Sequence, residues 1–193
     1  MKIMTKSSDL KSRSQNDYYL SLAHQEISKL SVEDKKNQNE YVEILDLSHN
    51  EISDVSFLTG FQRLKTVVLD HNLIGSNTVF PYLPMLSMLW LNYNLIVDLS
   101  TFIPALARSC PALNTLSLVG NDAAPSYFNG KTLEENLSYR YRVIYLFPQL
   151  CRLDDQDVTP SERQAARTQN DKILCVSAFK ILQKYLARIT IKL

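Results

Sequence analysis

One pattern, Leu-x-x-Leu-x-Leu-x-x-Asn-x-Ile, recurs down this chain and limits what it can fold into. Val42, Leu45, Leu47, Asn50 and Ile52 form one copy, and Leu64, Val67, Leu69, Asn72 and Ile74 the next. Leu86, Leu89, Leu91, Asn94 and Ile96 form a third; Leu113, Leu116, Leu118, Asn121 and Ala123 form a fourth, with alanine in the last slot. The asparagines lie 22, 22 and 27 residues apart, so the third interval carries five extra residues. A degenerate earlier unit is visible in Leu20, Leu22, Gln25, Ile27 and Leu30. A unit this short cannot bury its own apolar side, so the units must stack on one another.

The spacing predicts the local structure. In Leu-x-Leu the alternate side chains point one way, which makes a short strand with its leucines inward, and stacked strands lie about 4.8 Å apart. The asparagine then falls where the chain turns. Its amide both donates and accepts, so it can satisfy backbone groups left open at a buried turn, and Asn50, Asn72, Asn94 and Asn121 are expected to form a structural ladder. Val55, Leu58 and Phe61, and likewise Leu99, Phe102 and Leu106, have near-helical spacing and predict helical or 3₁₀ segments on the opposite side. The expectation is an α/β, right-handed curved solenoid of about five coils with a parallel concave sheet. An open solenoid needs a cap, and Tyr139 to Ala166 supplies the residues for one. Within it, Thr159-Pro160-Ser161-Glu162 reads as a helix start with threonine as N-cap and glutamate three residues on. The predicted organisation is a flexible tail over 1–16, the repeat domain over 17–166 with its cap at 139–166, and a C-terminal amphipathic helix or tail over 167–193. The last part carries an apolar stripe from Ile173 to Ile189.

Lys plus Arg is 21 against 20 for Asp plus Glu, so no net field draws the chain to a polyanion. Residues 1–16 lack the apolar core of a secretory signal, and no run approaches eighteen apolar residues. Cys110, Cys151 and Cys175 are far apart and odd in number, as expected of reduced thiols in a cytoplasmic or nuclear protein.

These repeats and this cap resemble the short cytosolic leucine-rich-repeat class that includes the type-one phosphatase regulator, the spliceosomal A-prime protein and the acidic nuclear phosphoproteins. Within it, 57–166 is similar to the melanocyte-differentiation-associated family. The similarity runs through Leu69-Asp70-His71-Asn72, Pro111-Ala112-Leu113 and Leu116-Ser117-Leu118-x-Gly120-Asn121, then through the cap residues Tyr139, Arg140, Pro148, Leu150, Leu153 and Asp154. The resemblance implies an adaptor in endosomal or melanosomal traffic, with a Rab GTPase and a sorting complex as partners. The spliceosomal relative implies a second class of function, a nuclear ribonucleoprotein scaffold, with Lys131, Arg140, Arg142, Arg152, Arg163 and Arg167 as its basic patch.

Glycine-rich phosphate loops, nucleophile elbows and paired-histidine zinc motifs are all missing from the sequence, which points away from an enzyme and from a cofactor. His24, His49 and His71 share one repeat position and should lie near one another. No carboxylate or thiol is placed to complete a metal site, so the alignment is read as a consequence of the repeat. Asp154-Asp155-Gln156-Asp157 lacks the glycine and downstream glutamate of a calcium loop and is read as a solvated turn. Cys110 and Cys151 are read as small packing residues. The informative surface is the strand face that points out of the core. Its register predicts columns Ile44, Thr66, Met88, Thr115; Asp46, Val68, Trp90, Ser117; and Ser48, Asp70, Asn92, Val119. A partner protein is expected on Asp46, Val68, Asp70, Met88, Trp90, Asn92 and Ser117 with Tyr93 on the adjoining turn, centred on Trp90, the only tryptophan.

Overall fold

A computed structural model describes residues 18–30, 41–125, 130 and 132–171. The expected N-terminal tail, Lys131, Cys175 and the apolar stripe from Ile173 lie outside the described residues.

Six short strands follow one another in chain order: β1 (Tyr19–Ser21), β2 (Ile44–Asp46), β3 (Thr66–Val68), β4 (Met88–Trp90), β5 (Thr115–Ser117) and β6 (Arg152–Leu153). All five pairings between them are parallel, and β7 (Gln156–Asp157) folds back antiparallel on β6. Each pairing sets the central residue of one strand against that of the next, so Leu20, Leu45, Val67, Leu89, Leu116 and Leu153 form one row. From Leu45 onward this row is fully buried, as are Leu47, Leu69, Leu91 and Leu118 two residues on. The backbone ladder runs past the strands, with the Leu47, Leu69 and Leu91 amides donating to Val68, Trp90 and Ser117.

The return segments differ from coil to coil. Ser56–Gly60 is a 3₁₀ turn that buries Phe57 and Leu58. The stretch 76–87 makes only turns. The longer interval, with its five extra residues, holds α1 (Leu99–Ser109), whose N-cap Asp98 accepts from the Ser100 amide at 2.7 Å and whose inner side buries Phe102, Ile103 and Leu106. Both predicted helical segments are present.

The cap begins earlier than its apolar pattern suggested. Helix α2 spans Leu133–Leu146 behind a capping box of Thr132 and Glu135 and carries Tyr139, Arg140, Val143 and Ile144 into the core. Residues 160–171 form a second cap helix, and here Thr159 and Glu162 cap each other as predicted: each amide donates to the other's side chain, at 3.0 and 3.2 Å.

Asp154, expected in a solvated turn, instead ends the backbone ladder. The Leu118 amide has no next coil to donate to and donates to Asp154 Oδ1 at 2.8 Å, while Tyr139 donates its hydroxyl to Oδ2 at 2.9 Å. Burial raises the Asp154 carboxyl above its ordinary range against the pull of these two donors, and burial raises the Tyr139 phenol as well. Arg140 is buried beside it. It pairs with Glu162 at 2.7 Å and donates to the Leu153 carbonyl, and its guanidinium holds the Glu162 carboxyl below the usual range although burial acts the other way.

Candidate binding face

The register places the two outward columns of the strand face as expected: Ile44, Thr66, Met88 and Thr115 align, and so do Asp46, Val68, Trp90 and Ser117. Trp90 is 40% exposed on β4, near the middle of the sheet, and Val68, Met88, Ile44 and Thr66 around it are half-buried. A large amphipathic ring held on a rigid strand is well suited to anchoring a partner.

The polar members of the face are held by one another. Asp70 accepts from the Asn92 amide at 2.8 Å and from its side-chain nitrogen at 3.1 Å, and Ser117 donates to Asn92 Oδ1 at 2.6 Å. Ser117, expected on the open surface, is only 9% exposed because it sits in this chain of contacts between β4 and β5. Asp46 accepts from the Ser48 amide at 3.0 Å and from the Ser21 hydroxyl at 3.5 Å.

One edge of the face is a column of stacked rings. His24, His49, His71 and Tyr93 stack with centroids 4.2, 4.2 and 4.4 Å apart and planes within 12° of parallel. All four have φ between +53° and +56°, and Gly120 takes the fifth place at +78°. A Cβ on Gly120 would lie 2.5 Å from Tyr93 Cδ1, so glycine there makes room for the tyrosine ring. Tyr93 is 54% exposed and stacks on His71 at this edge. Burial and the charges of His24 and His71 hold the His49 imidazole below its ordinary range, against Asp70 and Asp46. Among the described residues no group of three or more His, Cys, Asp or Glu is arranged to hold a metal ion. In-plane lone pairs on parallel rings point alongside one another and not at one ion.

One residue further on, the asparagines face inward. Asn72 accepts from the Ile52 amide at 2.9 Å and donates to the Leu47 and Leu69 carbonyls, so it ties its own turn to the preceding coil. Asn50, Asn94 and Asn121 repeat the arrangement, taking the amides of Ile27, Ile74 and Ile96. Buried apolar rows, parallel three-residue strands and this ladder are the marks of one family, and the leucine-rich-repeat family model matches residues 31–173. The chain belongs to the leucine-rich-repeat family.

Among leucine-rich-repeat relatives, the human leucine-rich melanocyte differentiation-associated protein is 42% identical over 127 residues, 63% of this chain. The match spans 64% of that relative's length. The solved Drosophila melanogaster SNF/U2A' complex holds a chain 26% identical, with a TM-score of 0.62, covering 81% of this chain and 86% of that one. An internalin (InlF) from Listeria monocytogenes is 18% identical with a TM-score of 0.45, covering 70% of this chain and 33% of its own.

Three of the six basic residues of the expected patch are engaged by the segment that follows β5. Arg140 is consumed inside, Arg152 pairs with Asp157 at 3.1 Å, and Arg163 donates to the Phe147 and Leu150 carbonyls that end α2 and the turn after it. Cys110 is buried, and its thiol is pushed up to about 12 by burial. Cys151 departs from the expectation: it is exposed and does not pack in the core. A hollow of about 680 Å³ lies between the return segments, lined by Asp54, Leu73, Thr78 and Val79 among others. Its one carboxylate, Asp54, is spent on the Ser56 amide at 2.8 Å. No helix among the described residues is long and apolar enough to cross a membrane.

Proposed function

We propose that this chain is a non-catalytic adaptor that seats a partner protein on its concave face, with Trp90 at the centre and Met88, Val68, Asp46, Asp70 and Asn92 around it. The observation that carries the reading is the outward, 40% exposed position of the one tryptophan on the middle strands. The setting we propose is the one the family resemblance of the sequence implies, endosomal or melanosomal traffic, with a Rab GTPase and a sorting complex as the partners to look for; the 42% identical relative is named for melanocyte differentiation.

A second reading, a scaffold in nuclear ribonucleoprotein assembly, draws on the likeness to the U2A' chain, which is itself seen in complex with SNF. Against it, Arg140, Arg152 and Arg163 are engaged within the cap. Proximity labelling in cells with the wild-type chain and with Trp90→Ala tests both readings. Trafficking proteins are expected with the wild type and are lost from the variant, which weakens binding by about 2 kcal/mol or more with an unchanged fold. Splicing factors without trafficking proteins would overturn the leading setting. A partner set untouched by Trp90→Ala would overturn the choice of face.

A further inference from the structure

The imidazole column borders the strand face, and imidazole is the side chain whose ordinary protonation change falls in a pH range cells use. His71 directly follows Asp70, and His49 lies three residues after Asp46 on the same coil. The two carboxylates make no salt bridge among the described residues, whose ion pairs at this end join Glu43 to Arg63 and Lys65. Their hydrogen-bond partners, Ser21, the Ser48 amide and Asn92, are all uncharged. With neutral rings the face therefore carries two uncompensated negative charges next to the apolar patch of Trp90, Met88 and Val68. The complement to such a surface is a segment with lysine or arginine beside an apolar anchor.

Protonation changes that balance. The groups that act on the central ring are His24 and His71, stacked on its two faces, and the charges of Asp46 and Asp70; Tyr93 closes the far face of His71. Rings 4.2 Å apart repel once charged, while each new positive charge offsets a carboxylate on the face. Resting on the concave-face reading above, we propose that the imidazole column is a proton-operated charge switch. Neutral rings leave the Asp46 and Asp70 charges uncompensated and attractive to a cationic, apolar partner segment, and protonated rings cancel those charges and release it.

The test uses the full chain and the emission of Trp90, the only tryptophan. The probe is a tryptophan-free model helix of leucine and lysine, about 14 residues long, with a leucine–glutamate twin as control. The lysine helix is expected to shift Trp90 emission at about pH 7.5 and to bind about fivefold or more weakly at about pH 5.5, with the twin showing the reverse preference. Asp46→Asn with Asp70→Asn should weaken the lysine helix at the higher pH. Joint replacement of His24, His49 and His71 by glutamine should abolish the loss at the lower pH, with circular dichroism checking that the coils remain. Equal binding of the lysine helix at both pH values, persistence of the pH effect in the glutamine variant, or no response to either helix would overturn the switch. If the response is flat while Trp90→Ala still strips the cellular partners, the switch alone falls and the concave-face reading stands.

Discussion

Two columns of side chains run up this solenoid one residue apart, and they obey different rules. The inner column, Asn50, Asn72, Asn94 and Asn121, is the same residue four times and is buried throughout. The outer column, His24, His49, His71, Tyr93 and Gly120, varies and is exposed. Inside, each position must accept at least one amide and donate to two or more carbonyls with no water to substitute, and the asparagine amide at this reach does both. Outside, the shared demand is a left-handed backbone at the turn, which glycine meets freely and other residues meet at a cost. The identical residue marks the buried hydrogen-bonding duty; the variable one marks a place where surface chemistry can change.

That contrast can be broken most severely from the inside. Asn72→Ala orphans the Ile52 amide and removes donors from the Leu47 and Leu69 carbonyls. It should cost about 3 kcal/mol, the upper end for unsatisfied buried groups. Urea unfolding checks this through a lower midpoint at unchanged slope; an unchanged midpoint would remove the ladder from the account of stability.

Gly120→Ala probes the outer column where it meets the face. The added carbon meets the Tyr93 ring, and the backbone sits at φ +78°, so a loss of about 1–2 kcal/mol is expected. Repeating the substitution in a Tyr93→Ala background should recover the part due to the ring and leave the part due to the backbone. Full additivity of the two changes would mean that the ring does not rest on the glycine.

The smallest effect belongs to His49, and it is one of pH. Its folded imidazole binds a proton less readily than the unfolded one, so its contribution is present above the ordinary imidazole range and is lost as pH falls through that range. Asp154 has the opposite sign, since its carboxyl is raised by burial, and it acts at the lower pH where carboxylates titrate. The unfolding midpoint should therefore decline modestly between about pH 7.5 and about pH 5.5, and His49→Gln should flatten the decline. An identical decline in the variant would show that the column does not set it.

The solenoid, the inward rows, the outward columns through Trp90, the asparagine ladder and the Thr159–Glu162 helix start were all legible in the amino-acid order. Each follows from period and local spacing, and a repeat states the same constraint several times over. The left-handed column was half legible: Gly120 occupies in one coil the place taken by histidine or tyrosine in the others, which is the signal that would have found it. What happens where the repeat stops became visible only in the folded chain. Asp154 stands 36 residues from the amide it receives, and Arg140 spans to Glu162 and the Leu153 carbonyl. Ser117 is drawn inward by Asn92, 25 residues away. Such contacts leave no periodic trace, because a hydrogen bond between distant residues depends on where the backbone has already brought them. The cap is made of contacts of that kind, since it must satisfy the ladder that the missing next coil would have continued.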